Sequence, residues 1–388
     1  MIETILLLSI LCGFVGCIQM LLSSQRYRLA GSTIEKIHWE EDTPTVSLCI
    51  PARNETHALA DCLASALSSD YPKLEIIVLD DCSQDTTSQV IRGFAHDGVR
   101  FVKGDAPSDG WLGKNNAYQV LSQQARGEYL VFMSVDTRIE TKTISQIVGY
   151  MQLKKLSMVS ILPRRYDGLR SSVLFAPLRY FWQLLLPLKI NTPLATSIWS
   201  IRADSLQQTG GFEAFRDDIH VENTIASQLE NKNQYRFLVA NNDLAVNYEK
   251  KWASQVQTAI RLWYPALGKN VGLGLLAVVA HFVLFVLPFV VFVGGLLHLT
   301  SGSFVLPLSF VLSLCASFLY IGLYVAYIKK TKRINSLSDV LVVLVSIFLL
   351  PFLAVQEMVL IIVSFIQYKR GKVDWKGRNV CYPVVAKS

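Results

Sequence analysis

Leu74-Glu75-Ile76-Ile77-Val78-Leu79-Asp80-Asp81-Cys82-Ser83-Gln84-Asp85 is an apolar run that ends on a cluster of carboxylates. Residues 74–79 read as a buried strand, and the polar residues fall just beyond its carboxyl end. Two further motifs follow strand-like runs in the same way. Val46 to Ile50 leads into Pro51-Ala52-Arg53-Asn54-Glu55, and Tyr129 to Met133 leads into Ser134-Val135-Asp136. A fourth motif, Gly110-Trp111-Leu112-Gly113-Lys114, lies between them. In an open α/β sheet, ligands bind outside the carboxyl ends of the strands. Carboxylates placed there, accompanied by Arg53 and Lys114, suit a phosphorylated, metal-assisted ligand.

The surrounding pattern supports a doubly wound, mainly parallel sheet. After Glu55, the positions Leu59, Cys62, Leu63, Ala66 and Leu67 recur at helical spacing. Another strand ends at Val102, and Met158 to Leu162 reads as a further one. Strands alternating with amphipathic helices give an α/β fold. From 171 to 200 the composition turns aromatic and aliphatic, with Phe175, Tyr180, Phe181, Trp182, Leu184 to Leu186 and Trp199. Such a stretch is either ordinary core or a greasy surface facing a lipid.

The chain has 388 residues, 51% of them hydrophobic, and the excess is localised. Residues 2–22 form one apolar stretch with Glu3 as its only charge. Residues 271–296, 303–328 and 338–366 supply three more, and about 20 apolar residues suffice to span a bilayer. The first stretch lacks the basic start and small-residue cleavage site of a signal peptide, so it reads as an uncleaved anchor. Residues 250–270 mix Lys250, Lys251, Trp252, Arg261, Trp263, Tyr264 and Lys269 with apolar positions, the signature of an interfacial helix.

Basic residues cluster beside these segments: Arg26, Arg28 and Lys36, then Lys329, Lys330, Lys332 and Arg333, then Lys369 to Arg378 in the tail. The loop 297–302 has neither Lys nor Arg. Positive charge stays inside, which places residues 23–270 in the cytoplasm of a multi-pass cell-membrane protein. A basic tail on the same side requires 338–366 to kink or re-enter at Pro351. The net charge of +7 is partly explained by these clusters, so no nucleic acid partner is expected. Seven cysteines at 12, 17, 49, 62, 82, 315 and 381 show no paired spacing and fit a reducing compartment.

Each candidate residue has a structural alternative. Asp80, Asp81 and Asp85 are also good helix caps. Lys114 lies in a Gly-flanked loop, where it offers a point charge to a diphosphate, but Gly-x-Gly-Lys patterns are common. Asp136 could hold Mg²⁺ or Mn²⁺ against phosphate oxygens. After Gly210-Gly211-Phe212, the residues Asp217, Asp218, His220 and Glu222 compete for the place of a general base. A solvated helix start is the alternative for each.

In this order, with Trp375-Lys376-Gly377-Arg378 near the end, the motifs resemble family 2 glycosyltransferases of GT-A fold, a Rossmann-like, mainly parallel architecture. The anchor and the three C-terminal hydrophobic segments are similar to those of membrane enzymes that glycosylate lipids such as carotenoid acids, hopanoids and ceramide. The resemblance implies that Pro51, Arg53, Glu55 and Asp81 hold the nucleotide of a UDP-sugar and that Lys114 lies on the donor side. It implies Asp136 as metal ligand and Glu222, with Asp218 as a second catalytic candidate, as the acidic residue that serves as base. It further implies that Trp375 and Arg378 fold back near the active site, where Arg378 helps to hold phosphates. Three departures stand out. Ser134 replaces the first Asp of Asp-x-Asp, Cys82 replaces a usual Gly, and the Gln-x-x-Arg-Trp motif is only echoed by Gln257, Arg261 and Trp263.

The organisation expected is an anchor at 1–23, a glycosyltransferase domain at 40–249 and an interfacial helix at 250–270. Membrane helices follow at 271–366, and a basic tail at 367–388. The activity expected is inverting transfer of a hexose from a UDP-sugar to a membrane lipid. The alternatives are a catalytically degenerate accessory protein, kept open by Ser134, and a processive polysaccharide synthase.

Overall fold

A computed structural model describes residues 2–23, 43–165, 170–181, 192–297, 305–331 and 337–381. Arg26, Arg28, Lys36, Lys332, Arg333, Trp182 and Leu184 to Leu186 lie outside the described residues, as does most of the 297–302 loop. The chain divides into two units. One comprises Leu29–Tyr166, Thr192–Lys250 and Asp374–Ser388; the other comprises Met1–Arg28, Asp167–Asn191 and Lys251–Val373. The first of these units leaves out residues 167–191 and takes in the tail.

The first unit contains β1 (Val46–Ala52), β2 (Leu74–Asp80), β3 (Val99–Lys103), β4 (Tyr129–Met133), β5 (Thr137–Ile139), β6 (Met158–Leu162), β7 (Ile198–Arg202), β8 (Tyr235–Val239) and β9 (Val246–Tyr248). Seven of these form one sheet in the order β3-β2-β1-β4-β7-β6-β8. β1, β2, β3 and β4 run parallel, as do β6 and β8. β7 pairs antiparallel with both its neighbours, a reversal the hydrophobic pattern does not announce. Its Trp199 is fully buried and stacks on Phe132 with ring centroids 4.4 Å apart. This end of the 171–200 stretch is thus core.

The central strands are apolar on both faces because helices cover both. Leu48, Ile50, Val78 and Val131 are fully buried in one cluster; Cys49, Ile77 and Leu130 lie in a second cluster with Trp199 and Phe212. Each such aliphatic side chain contributes roughly 1.5–3 kcal/mol by leaving water. Pro51 sits in β1 beyond Cys49, the last residue of β1 paired with β4. Its missing N–H therefore leaves no β4 ladder bond unmade. A separate antiparallel ribbon joins β5 to β9, Thr137 opposite Tyr248.

The second unit is helical. Its first helix, Ile2–Ser23, lies against the π-turn Phe282–Val286. At Gly13 a Cβ would stand 2.9 Å from the Val283 carbonyl oxygen, so only glycine allows this approach. The amphipathic helix expected at 250–270 forms at Trp252–Ala266. Among the described residues, three helices are long and apolar enough to cross a membrane: Val271–Val291, Leu308–Lys329 and Val340–Lys369. Their large exposed side chains, Leu275, Phe318, Phe348 and Phe352 among them, are apolar, as a lipid-facing surface requires.

The re-entrant hairpin expected at Pro351 does not form. Leu337–Lys369 is one helix of 33 residues with Pro351 inside it. Proline removes one backbone bond, but packing against Trp252–Ala266 and Val271–His281 keeps the chain helical on both sides. Glu357 is fully buried in this helix, inside a run read as purely apolar. It accepts from Leu178 N–H at 2.6 Å and from Trp263 Nε1–H at 3.1 Å. One carboxylate thereby ties the amphipathic helix and the 170–181 segment to the long helix.

Candidate active site

The polar motifs meet at the carboxyl edge of the sheet. After β1 the chain enters a turn with Asn54 at φ 50°, and after β2 it passes through Cys82 at φ 54°. The position where the resemblance expects glycine does adopt a left-handed backbone, at about 1–2 kcal/mol for an L-residue. Asp80 and Asp85 tie the loop to the start of the helix Thr87–Gly93. Asp80 accepts from Ser83 N–H at 3.0 Å and from Ser88, and Asp85 accepts from Thr87 N–H at 3.0 Å and Thr56 Oγ1 at 2.7 Å. Arg53 is buried and donates to the carbonyls of Asp81 at 2.5 Å and Cys82 at 2.8 Å, clamping the two strand-end loops together.

Asp81 faces the C-terminal tail. Residues 374–379 form a hairpin of β10 (Asp374–Trp375) and β11 (Arg378–Asn379). Lys376 and Gly377 both have positive φ, 49° and 77°, as a tight two-residue hairpin turn requires. One guanidinium nitrogen of Arg378 bonds both oxygens of Asp81, at 2.8 and 2.7 Å. Lys376 pairs with Glu55, and its carbonyl accepts from Arg53 Nε–H at 3.0 Å. The tail thus reaches the residues expected to hold the nucleotide: Arg53, Glu55 and Asp81. Burial raises the Asp81 pKa, and the Arg378 bond and charge only partly offset it.

Lys114 and Glu222 pair with each other. Lys114 opens the helix Gly113–Gln124, and Glu222 lies in the first turn of the helix Val221–Glu230. Lys114 Nζ bonds both Glu222 oxygens at 2.9 and 2.7 Å, and Tyr118 donates its hydroxyl at 3.2 Å. The Glu222 side chain is 1% exposed. Burial alone would raise its pKa, but the charge and hydrogen bond of Lys114 outweigh it and the net shift is downward. Both Glu222 oxygens, expected to serve a catalytic base, are engaged here by Lys114, and one of them also by Tyr118. Asp218 is likewise engaged, accepting from His220 N–H at 2.8 Å and Thr224 Oγ1 at 2.5 Å. Behind this pair, Tyr118, Phe132, Trp199 and Phe212 form an aromatic cluster, which explains the Gly-Gly-Phe motif as a turn that seats Phe212.

Asp136 follows β4 and meets Lys250, the residue after Glu249 and just past β9. Lys250 Nζ lies 3.4 Å from Asp136 Oδ2. Ser134, in place of an Asp, exchanges a hydrogen bond with Thr137 Oγ1 at 3.1 Å. A hard divalent cation seeks several oxygen ligands. Among the described residues no group of three His, Cys, Asp or Glu side chains could hold one. Asp136 faces an ammonium, and Ser134 stands where a second carboxylate is expected, so the side chains here are a poorer donor set than the one expected for Mg²⁺ or Mn²⁺. Lys250 is the residue the sequence reading assigned to the membrane interface instead.

Comparison with known proteins agrees with this geometry. Residues 47–203 match the family model described as Glycosyl transferase family 2. A 4,4'-diaponeurosporenoate glycosyltransferase of Staphylococcus haemolyticus is 29% identical over 158 residues, 40% of this chain and 39% of that protein. A poly-beta-1,6-N-acetyl-D-glucosamine synthase of Staphylococcus epidermidis is 33% identical over 122 residues, 31% of this chain and 28% of that protein. The matches thus span well under half of these relatives' own length. Among solved structures, the mannosyltransferase PcManGT of Pyrobaculum calidifontis, in complex with GDP-Man and Mn²⁺, is similar with a TM-score of 0.53 and 16% identity, over 95% of this chain and 98% of that one. Strand-end motifs and family model coincide on one segment: residues 47–203 match glycosyl transferase family 2, and the sheet they build has the GT-A fold.

Proposed function

We propose that this chain is a membrane-anchored, inverting glycosyltransferase that moves a hexosyl group from a UDP-sugar to a lipid acceptor. The observation that carries the reading is the convergence of Arg53, Glu55, Asp81 and the Trp375–Arg378 hairpin at the carboxyl edge of a family 2 sheet. Asp81 recognises the nucleotide and Arg378 attends it. Pro51 and Glu55 shape the first loop of the pocket, and Trp375 forms its tail-side wall. The three long apolar helices and the amphipathic Trp252–Ala266 helix suit an acceptor that resides in lipid.

In the reaction an acceptor oxygen forms a bond to the anomeric carbon, and the bond from that carbon to the β-phosphate oxygen breaks. The nucleoside diphosphate leaves with the electron pair. A lipid carboxylate is already ionised at neutral pH and needs no base, which agrees with the burial of Glu222 against Lys114. The carotenoid-acid relative of Staphylococcus haemolyticus supports that acceptor class. The domain and the tail share the cytoplasmic side in this reading. The hairpin's pairing with Asp81 supports it, and it requires that one of the three long apolar helices between residues 250 and 374 does not cross the bilayer.

The test is expression in a host lacking the activity, incubation of membranes with labelled UDP-glucose, UDP-N-acetylglucosamine or GDP-mannose, and mass spectrometry of the extracted lipids. A hexosylated lipid formed from a UDP-sugar is expected, and Asp81→Ala abolishes it. Long polymer instead would favour the polysaccharide-synthase reading, which the Staphylococcus epidermidis relative keeps in view. No transfer from any donor would favour an accessory role.

A further inference from the structure

We infer that Lys250 is the cation of the donor diphosphate site, so that this chain binds its nucleotide without a divalent metal. The inference rests on the donor-site reading above and specifies how its phosphates are held. Three observations carry it. First, the backbone brings Lys250 to the end of β4 by construction. The β5–β9 ribbon sets Thr137 opposite Tyr248, and Glu249 N–H donates to the Asp136 carbonyl at 2.9 Å. Lys250 therefore emerges beside Asp136 as the next residue. Second, the pair is partly withdrawn from water, with side chains 13% and 19% exposed and 3.4 Å apart. Third, the position that would bring a second carboxylate carries Ser134, whose hydroxyl exchanges its hydrogen bond with Thr137.

The charge logic follows. A metal at such a strand end needs carboxylates to hold it, and each lost carboxylate weakens that hold. An ammonium is held covalently by its own chain and needs only one counter-charge to orient it. Asp136 supplies that counter-charge and serves as a positioning residue for Lys250. A lysine is a compact point charge that binds phosphate without demanding a coordination geometry. On the diphosphate it lessens the negative charge that grows as the sugar leaves. No proton or electron changes hands in this role.

The experiment is titration calorimetry of UDP against the purified full chain in detergent, once with excess EDTA and once with Mn²⁺, beside Mn²⁺ binding followed by electron paramagnetic resonance. Wild type is expected to bind UDP with affinities that agree within about twofold in the two buffers. Lys250→Met should weaken UDP binding on the order of tenfold in EDTA, while Lys250→Arg keeps most of it. The double variant Ser134→Asp, Lys250→Ser should bind UDP only when Mn²⁺ is present and should show the bound-Mn²⁺ signal. UDP binding by wild type that requires Mn²⁺ overturns the inference and leaves the donor site standing. So does Lys250→Met that binds as wild type does. UDP binding in neither buffer removes the donor-site reading itself, and the inference with it.

Discussion

Two carboxylates in the same domain are each gripped by a single cationic nitrogen that touches both oxygens. Glu222 is held by Lys114 and Asp81 by Arg378. They differ in how the cation arrives. Lys114 stands on a helix rooted in the sheet's core, with Tyr118 beside it bonding the same carboxylate. Arg378 comes from a hairpin at the end of the chain, 297 residues away from Asp81. The balance of forces differs as well. Lys114 outweighs burial and depresses the Glu222 pKa, while burial outweighs Arg378 and raises that of Asp81. The first pair is a buried strut, and the proposed function makes the second an exchangeable contact at which a nucleotide takes the partner's place.

The largest effect expected from this contrast is at the strut. Lys114→Met leaves the Glu222 charge buried without its partner, a change that costs about 3–5 kcal/mol. Thermal unfolding of the detergent-solubilised chain should show it as a large fall in melting temperature. Glu222→Gln keeps the Tyr118 contact and should fall less, while Lys114→Met with Glu222→Met recovers much of the loss. A double variant as unstable as the single one would show that the pair is not the strut it is taken for here.

Acid titration of stability sharpens the same contrast through its sign. The folded pKa of Glu222 lies below its ordinary 4.5, so the stability from the strut is whole above that value and drains away as pH falls through the lowered one. The folded pKa of Asp81 lies above its ordinary 3.8, so in that window the native state binds the extra proton and stability falls as pH rises. Between about pH 6 and pH 3, Glu222→Gln should flatten the loss of stability on acidification, and Asp81→Asn should steepen it. Melting curves for the two variants that bend the same way would dissolve the distinction.

How much of this was legible beforehand follows from the range of each interaction. Strand ends, the loop contacts of Asp80 and Asp85 and the left-handed Cys82 are set by neighbours in sequence, and the pattern of residues 46–136 announces them. Strand direction is not in the periodicity, so the antiparallel β7 was hidden inside an aromatic stretch. Lys114 looked like a phosphate ligand because glycines flank it, and only the tertiary fold brings Glu222 to it. Lys250 looked like a headgroup contact because tryptophan and basic residues surround it, and only the β5–β9 ribbon aims it at Asp136. Glu357 was lost in an apolar run, since its partners Leu178 and Trp263 lie on other segments.

A middle-sized effect belongs to Arg378 itself. Arg378→Ala removes the bond to Asp81 but keeps the hairpin turn, and a hydrogen bond to a charged group is worth roughly 1.5–3 kcal/mol. If the pair is exchangeable, little of that appears as lost domain stability. It should appear instead as altered UDP affinity in calorimetry, with the melting temperature close to wild type. Arg378→Lys restores charge without the guanidinium and should recover only part of the affinity. A fall in melting temperature as large as for Lys114→Met would place Arg378 with the strut.

The smallest effect probes the turn that presents Arg378. Gly377 has φ 77° and no atom within 4 Å of where a Cβ would stand, so Gly377→Ala meets backbone strain alone. That strain is about 1–2 kcal/mol for an L-residue in the left-handed region, and Gly377→Asn should suffer less of it. The strain loosens the hairpin rather than the sheet, because residues 374–379 pair only with one another as strands. The expected reading is therefore a donor KM raised severalfold with kcat and melting temperature held. If Gly377→Ala instead lowers kcat and leaves KM unchanged, the hairpin acts after the donor is bound, and the exchange would lie between Arg378 and the departing diphosphate rather than between Arg378 and the arriving nucleotide.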